Sequence, residues 1–171
     1  RVKPTIFRYQ KNYKEVFEEN GKYFFINDSI TTRGEGGTLN ARPNLGYSVY
    51  YNLESKDKIA VADYNIELAK KSNDEKEIYQ VNSELLSKGY IAIRPPKVRG
   101  KLGCWTWSLD KFNSQKDEII ITGKSPNFSV KKRTFVPKEK TEMIDSKLTY
   151  ISESEANLRS ILDFSTNDGT N

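Results

Sequence analysis

The sequence has no histidine and a single cysteine, Cys104, in 171 residues. Without imidazole there is no side chain that ordinarily titrates near neutral pH, and no histidine ligand for a metal. One cysteine excludes an intramolecular disulfide and a cysteine zinc cage. No apolar run nears the roughly 18–20 residues of a membrane-spanning helix. The chain begins with Arg1 and no apolar signal segment follows, so it reads as a piece of a longer intracellular, cytoplasmic chain. There is no Gly-x-Ser-x-Gly elbow and no Cys–His pair. The loop from Thr31 to Thr38 has three glycines and Arg33, but it lacks the Gly-Lys-Ser/Thr ending of a phosphate-cradling P-loop.

What is present is a modest supply of core residues and an uneven charge. Hydrophobic residues make up 36% of the chain and charged residues 30%, enough for one domain with a small core. The net charge of +5 is concentrated: residues 85–140 hold 13 basic and 4 acidic groups, and both tryptophans. Acidic residues fall mainly in patterns such as Asp74-Glu75-Lys76-Glu77, which suit a solvated helix face better than a catalytic carboxylate pair.

The pattern of elements predicts an α+β fold, a mostly antiparallel sheet with two or three short helices in a single compact domain. Asn20-Gly21 is a turn signal, and residues 22–26 read as a strand. Tyr47, Val49 and Tyr51 alternate along a strand over residues 45–53. A hairpin turn at 54–57 leads to a strand at 58–63. Residues 72–88 read as one helix, capped by Ser72 or Asn73, with Ile78, Val81 and Leu85 on one face and Gly89 at its end. Residues 90–94 form a strand stopped by Pro95-Pro96. Ser108 caps a short helix over 109–112. Strands follow at 118–122 and 128–135, joined by a turn at 123–127. Beyond Pro137 the chain reads as loose. Ser152 and Glu155 then match a capping box, which predicts an amphipathic helix over 152–163. The apolar-free tail, 165–171, reads as frayed.

The segment Arg94-Pro95-Pro96-Lys97-Val98-Arg99-Gly100-Lys101-Leu102-Gly103-Cys104-Trp105-Thr106-Trp107 combines four cations, two glycines, two prolines and two tryptophans. Prolines fix the entry to the loop, and glycines admit a backbone, of DNA or of protein, at close range. The tryptophans and Cys104 read as packing residues. Arg94, Lys97, Arg99 and Lys101 read as nucleic-acid contacts. Arg33, Arg42 and Asn44 lie in a second loop, and Lys131, Lys132 and Arg133 on a strand. Arginine and asparagine suit base edges, whereas lysine suits phosphate.

Three stretches, in order, resemble a known family. They are Arg42-Pro43-Asn44-Leu45-Gly46-Tyr47-Ser48-Val49-Tyr50-Tyr51-Asn52, then Gly89-Tyr90-Ile91-Ala92-Ile93-Arg94-Pro95-Pro96, then Trp105-Thr106-Trp107-Ser108-Leu109-Asp110-Lys111-Phe112. Together, over roughly residues 40–170, they resemble the region between catalytic motifs in the modification subunits of type III restriction–modification systems. Those subunits are adenine-specific DNA methyltransferases of the β arrangement. The tail from Asp163 to Thr170 resembles the start of the junction to their S-adenosylmethionine motif.

The resemblance implies a target-recognition domain over residues 1–164 and a flexible tail, 165–171, leading to the S-adenosylmethionine-binding part. The Asp-Pro-Pro-Tyr and Phe-x-Gly-x-Gly motifs of the family are absent from this sequence. The implied role is therefore sequence-specific recognition of double-stranded DNA, without catalysis or cofactor in this stretch. The implied partners are the rest of the methyltransferase chain, a second modification subunit and a restriction subunit, and no membrane. The other reading is an interaction or scaffold domain, docking through the 152–163 helix and the aromatic strand 45–53. A third reading is RNA binding by stacking on Tyr50, Tyr51 and Phe128.

Overall fold

The computed structural model describes residues 9–155. In chain order the strands are β1 (Tyr9–Glu15), β2 (Phe17–Glu19), β3 (Lys22–Ser29), β4 (Ser48–Asn52) and β5 (Lys58–Val61), then β6 (Tyr90–Ile93), β7 (Ile119–Lys124), β8 (Asn127–Val136), β9 (Thr141–Ile144) and β10 (Lys147–Glu155). Four short helices are interspersed: α1 (Ile66–Ala69), α2 (Glu75–Ile78), α3 (Ser83–Ser87) and α4 (Leu109–Ser114). The fold is α+β, with antiparallel pairing predominating. The described residues divide into two compact units, one of residues 9–25 with 134–155 and the other of residues 26–133.

In the first unit β1, β10 and β9 form an antiparallel sheet in the order β1-β10-β9. β2 and β3 form a hairpin with Phe17 opposite Phe24. Its turn is Asn20-Gly21, both left-handed at φ 53° and 77°, as a two-residue hairpin turn requires. Asp145 and Ser146, at φ 50° and 65°, make the equivalent turn between β9 and β10.

Two expectations are corrected here. The chain beyond Pro137 is not loose but forms the β9–β10 hairpin. Ser152 does not cap a helix: it lies within β10, opposite Asn12 of β1. The Leu-Thr-Tyr-Ile run before it favours extended backbone. Seven paired positions with β1 then hold residues 149–155 in a ladder, which the local capping signal does not overcome. The remainder of that expected helix, and the tail, lie outside the described residues.

In the second unit β4 is the central strand of a sheet ordered β5-β4-β6. Tyr50 faces Ile59 on one side and Ala92 on the other. The predicted alternation holds, since Tyr47, Val49 and Tyr51 enter the main core with Trp105, Trp107 and Phe112. The reverse face of β4 is also buried. Ser48 and Tyr50 there donate hydrogen bonds to the Asp63 carboxylate, at 2.7 and 2.6 Å. The Tyr50 hydroxyl in turn accepts the Asn82 N–H at 2.9 Å. β7 and β8 form a hairpin in register Ile121↔Val130. Ser108 caps α4 by accepting the Lys111 N–H, as expected. The Asn113 side chain then ties α4 to both backbone groups of Ala60.

The single helix expected over 72–88 is instead two short helices, and α1 before them was not anticipated. Asp74 caps α2 and Asn82 caps α3, each accepting a backbone N–H. Between them Tyr79 is extended, bridged to Tyr64, and Gln80 N–H bonds the Asp63 carbonyl at 2.7 Å. A backbone partner outside the helix thus breaks the periodicity. It buries Ile78 in a second cluster with Leu39, Ala69, Tyr79 and Leu102, while Val81 stays exposed. Gly89 ends α3 in the left-handed conformation, φ 89°, as its position predicted.

Burial, and then the hydrogen bond to Asp63, push the Tyr50 phenol up from 10.0 to about 12. Burial raises Tyr47 and Tyr79 as well. A group whose pKa is raised by folding contributes stability fully present below its unfolded value and lost as pH climbs through its folded value. The fold is therefore expected to lose stability progressively between pH 10 and about 12. Unfolding midpoints measured across that range check this, with phenolate absorbance reporting ionisation. A flat stability profile would contradict the burial of these hydroxyls.

Candidate nucleic-acid interface

Five exposed cations of the second unit, Arg33, Arg42, Lys97, Arg99 and Lys101, sit on two loops that are joined backbone to backbone. Thr106 N–H bonds the Ile30 carbonyl at 2.8 Å, and Cys104 N–H the Gly37 carbonyl at 3.0 Å. Leu39 N–H bonds Leu102 at 2.7 Å, and Trp105 N–H bonds Leu45 at 2.8 Å. Bridges Thr31↔Trp105 and Thr38↔Gly103 complete the zip. Two of its positions require glycine for space. A Cβ at Gly37 would collide with the Thr32 carbonyl, and one at Gly103 with the Pro96 carbonyl. The backbone that Gly103 admits is therefore the protein's own.

Trp105 anchors the zip. It is 1% exposed, and its indole Nε1–H bonds the Tyr47 carbonyl at 2.7 Å. The Tyr47 hydroxyl donates to the Trp107 carbonyl at 2.9 Å. Both tryptophans and Cys104 are buried, in accord with their reading as packing residues. Burial pushes the Cys104 thiol up, against a smaller lowering by Arg42, so it is not an activated nucleophile.

Beyond the prolines the second loop ends in a tight tip. Val98 and Lys101 exchange both backbone hydrogen bonds, at 2.9 and 3.0 Å. Arg99 and Gly100 between them are left-handed, φ 52° and 79°. This is the two-residue turn of a β-hairpin, and it holds Arg99 and Lys101 outward, both exposed.

The ten sequence-predicted residues separate into groups. Arg33, Lys97 and Arg99 line one groove of about 430 Å³ between residues 29–33 and 96–99. Lys101 belongs to the same tip. The Arg42 guanidinium lies beside Gly36, 3.7 Å from where a Cβ would be, and is next along the zipped loop. Asn44 is exposed in the 3-10 turn Pro43–Leu45 that receives the Trp105 N–H.

Arg94 stands apart. Its Nη1 is 2.8 Å from Glu75 Oε1, and its guanidinium carbon is 4.4 Å from the Tyr79 ring centroid. Its Nε is buried with no hydrogen-bond partner among the described residues. Lys131, Lys132 and Arg133 lie on β8 and do not line the groove. Arg133 Nε donates to the Asp117 carbonyl at 2.7 Å.

Glu35 and the hydroxyls of the groove were not singled out from sequence. Arg99 Nη1 is 3.4 Å from Glu35 Oε1, with both side chains largely exposed. Among the described residues, Arg33, Arg42, Lys97 and Lys101 have no carboxylate partner. Ser29, Thr31 and Thr32 add hydroxyls to the groove wall, and the Ser29 and Thr31 oxygens are 2.8 Å apart. The Thr31-Thr32-Arg33 run was the available signal, since hydroxyls beside arginine suit an anion.

Other chemistry finds less support in the geometry. Among the described residues no group of three or more Cys, Asp or Glu side chains is placed to hold a metal ion. No described helix is long and apolar enough to cross a membrane. The aromatic strand suggested as a docking surface is the buried central strand β4, and Tyr50 and Tyr51 are 0% and 7% exposed, so neither offers a face for a base to stack on. No protein-family model, curated protein or solved structure matches the chain.

The two arginines of the 94–99 stretch are expected to respond unequally to substitution. Arg94→Ala removes a partly buried ion pair and a cation–π contact and should cost about 1–2 kcal/mol of stability. Arg99→Asn suits the left-handed turn and should change stability by less than about 0.5 kcal/mol. Urea unfolding of both variants checks this, and equal effects would contradict the division of roles.

Proposed function

We propose that the chain is a sequence-specific DNA-recognition region of a type III adenine-specific DNA methyltransferase, with no catalysis of its own. One observation carries the reading. A zip of backbone hydrogen bonds gathers Arg33, Arg42, Lys97, Arg99 and Lys101 into one exposed neighbourhood, and its only carboxylate contact among the described residues is the Arg99–Glu35 pair. Such unneutralised cations on a rigid base favour a polyanion.

The residue types divide the labour. Arg99, on a two-residue tip, projects a planar fork of donors, which suits a phosphate or a guanine edge. Asn44 offers the amide that pairs with adenine. Lys97 and Lys101 supply point charges for phosphates. Arg94 acts at one remove, holding the start of the loop against Glu75 and Tyr79.

The parent enzyme would act in the cytoplasm with a second modification subunit and a restriction subunit. It would flip the target adenine out of the duplex while this region holds the flanking base pairs. S-adenosylmethionine would be held elsewhere in the parent, by the Phe-x-Gly-x-Gly motif that this sequence lacks. Within the glycine-rich turn 34–37, Gly37 accepts the Cys104 N–H and is pressed against the Thr32 carbonyl, which closes that glycine to a ligand.

Duplex binding by the chain tests the proposal. With about three phosphates neutralised, affinity should fall on the order of 40-fold between roughly 50 and 200 mM salt. The Lys97→Ala/Lys101→Ala variant should bind more weakly and lower the log–log salt slope by about 1. Salt-insensitive binding, or an unchanged slope in the variant, would refute this assignment of the cations.

A further inference from the structure

Resting on the DNA-recognition reading, we infer that the groove between residues 29–33 and 96–99 seats one phosphodiester of the DNA backbone, and that Glu35 competes with that phosphate for Arg99. The groove wall supplies three cations (Arg33, Lys97, Arg99) and three hydroxyls (Ser29, Thr31, Thr32), and no carboxylate lines it. Every polar side chain of its lining residues is thus able to donate a hydrogen bond, and a tetrahedral oxyanion accepts from several directions at once. Its two walls are held at a fixed spacing by the zip, through Thr106 N–H to the Ile30 carbonyl and Gly103 closed onto the Pro96 carbonyl. The donors therefore need little reordering to meet an anion, which limits the entropy lost on binding.

Glu35 sets the balance at this seat. Its carboxylate occupies Arg99 at 3.4 Å, with the two side chains 89% and 70% exposed. An exposed pair of this length is weak, so a phosphate supported by Arg33 and Lys97 displaces it. Glu35 then stands beside the bound anion as a like charge. The seat fixes where the duplex lies, and the displaced pair turns Arg99 toward the DNA.

The test is a scan of a bound duplex in which single linkages are replaced by neutral methylphosphonate. In the wild-type chain one linkage should stand out, its neutralisation weakening binding about tenfold. In Arg33→Ala/Arg99→Asn that linkage should no longer matter more than its neighbours. Glu35→Gln should bind the unmodified duplex severalfold more tightly, a gain that a misfolded variant does not give. Inorganic phosphate should displace the duplex no better than chloride at equal ionic strength. Salt-sensitive duplex binding with no outstanding linkage, or with the same linkage still outstanding in the double variant, would overturn the seat and leave the DNA reading standing. Strong, selective displacement by inorganic phosphate would assign the groove to a small phosphate ligand instead. A wild-type chain that binds no duplex at low salt would bring down the DNA reading, and the seat with it.

Discussion

The second unit depends on the burial of Trp105 with both its N–H groups satisfied. The ring is 1% exposed, its backbone N–H is held by Leu45 and its indole N–H by the Tyr47 carbonyl. An indole of this size removes a large apolar area from water, and its donor would be costly to bury unpaired. Meeting both demands brings residues 30–45 against residues 102–106. That closeness puts glycine at positions 37 and 103, where a side chain would strike a carbonyl. The loops that carry the cations are therefore not loose appendages. They are the outer edges of a segment pinned to the core.

This arrangement separates the two uses of arginine in the segment. Arg94 lies one residue beyond β6, close to the core, where Glu75 and Tyr79 absorb its charge. Arg99 lies at the far end of the tip, where solvent is its main neighbour and Glu35 a distant partner. Charge that is paired and half-buried holds structure together, while charge held outward on a stiff turn meets a partner. The acidic residues obey the same division. Asp63 is committed to Ser48 and Tyr50 behind β4, and Asp74 to the cap of α2, which leaves the basic loops with little internal neutralisation.

Much of this was legible in the sequence wherever the signal is local. The Asn20-Gly21 turn, the alternation Tyr47-Val49-Tyr51, the stop at Pro95-Pro96 and the Ser108 cap each follow from backbone preferences of a few residues. Signals failed where a distant backbone offered a better partner. The 72–88 pattern was broken by Asp63 and Tyr64, and the Ser152–Glu155 capping box was overruled by a ladder with β1. The clustering of Arg33 with Lys97 and Arg99 was visible only as charge, because the zip joins segments some sixty residues apart. Glu35 and Glu75 sorted the arginines, and nothing in their spacing announces which arginine each would meet.

The pair of zipped loops is the surface proposed to face DNA. Amide hydrogen exchange of the chain with and without a bound duplex tests it most directly. Protection should be added over residues 29–44 and 96–103, with the β1-β10-β9 sheet unchanged. Protection confined to that sheet, with the loops unaffected in a chain that binds DNA, would contradict it.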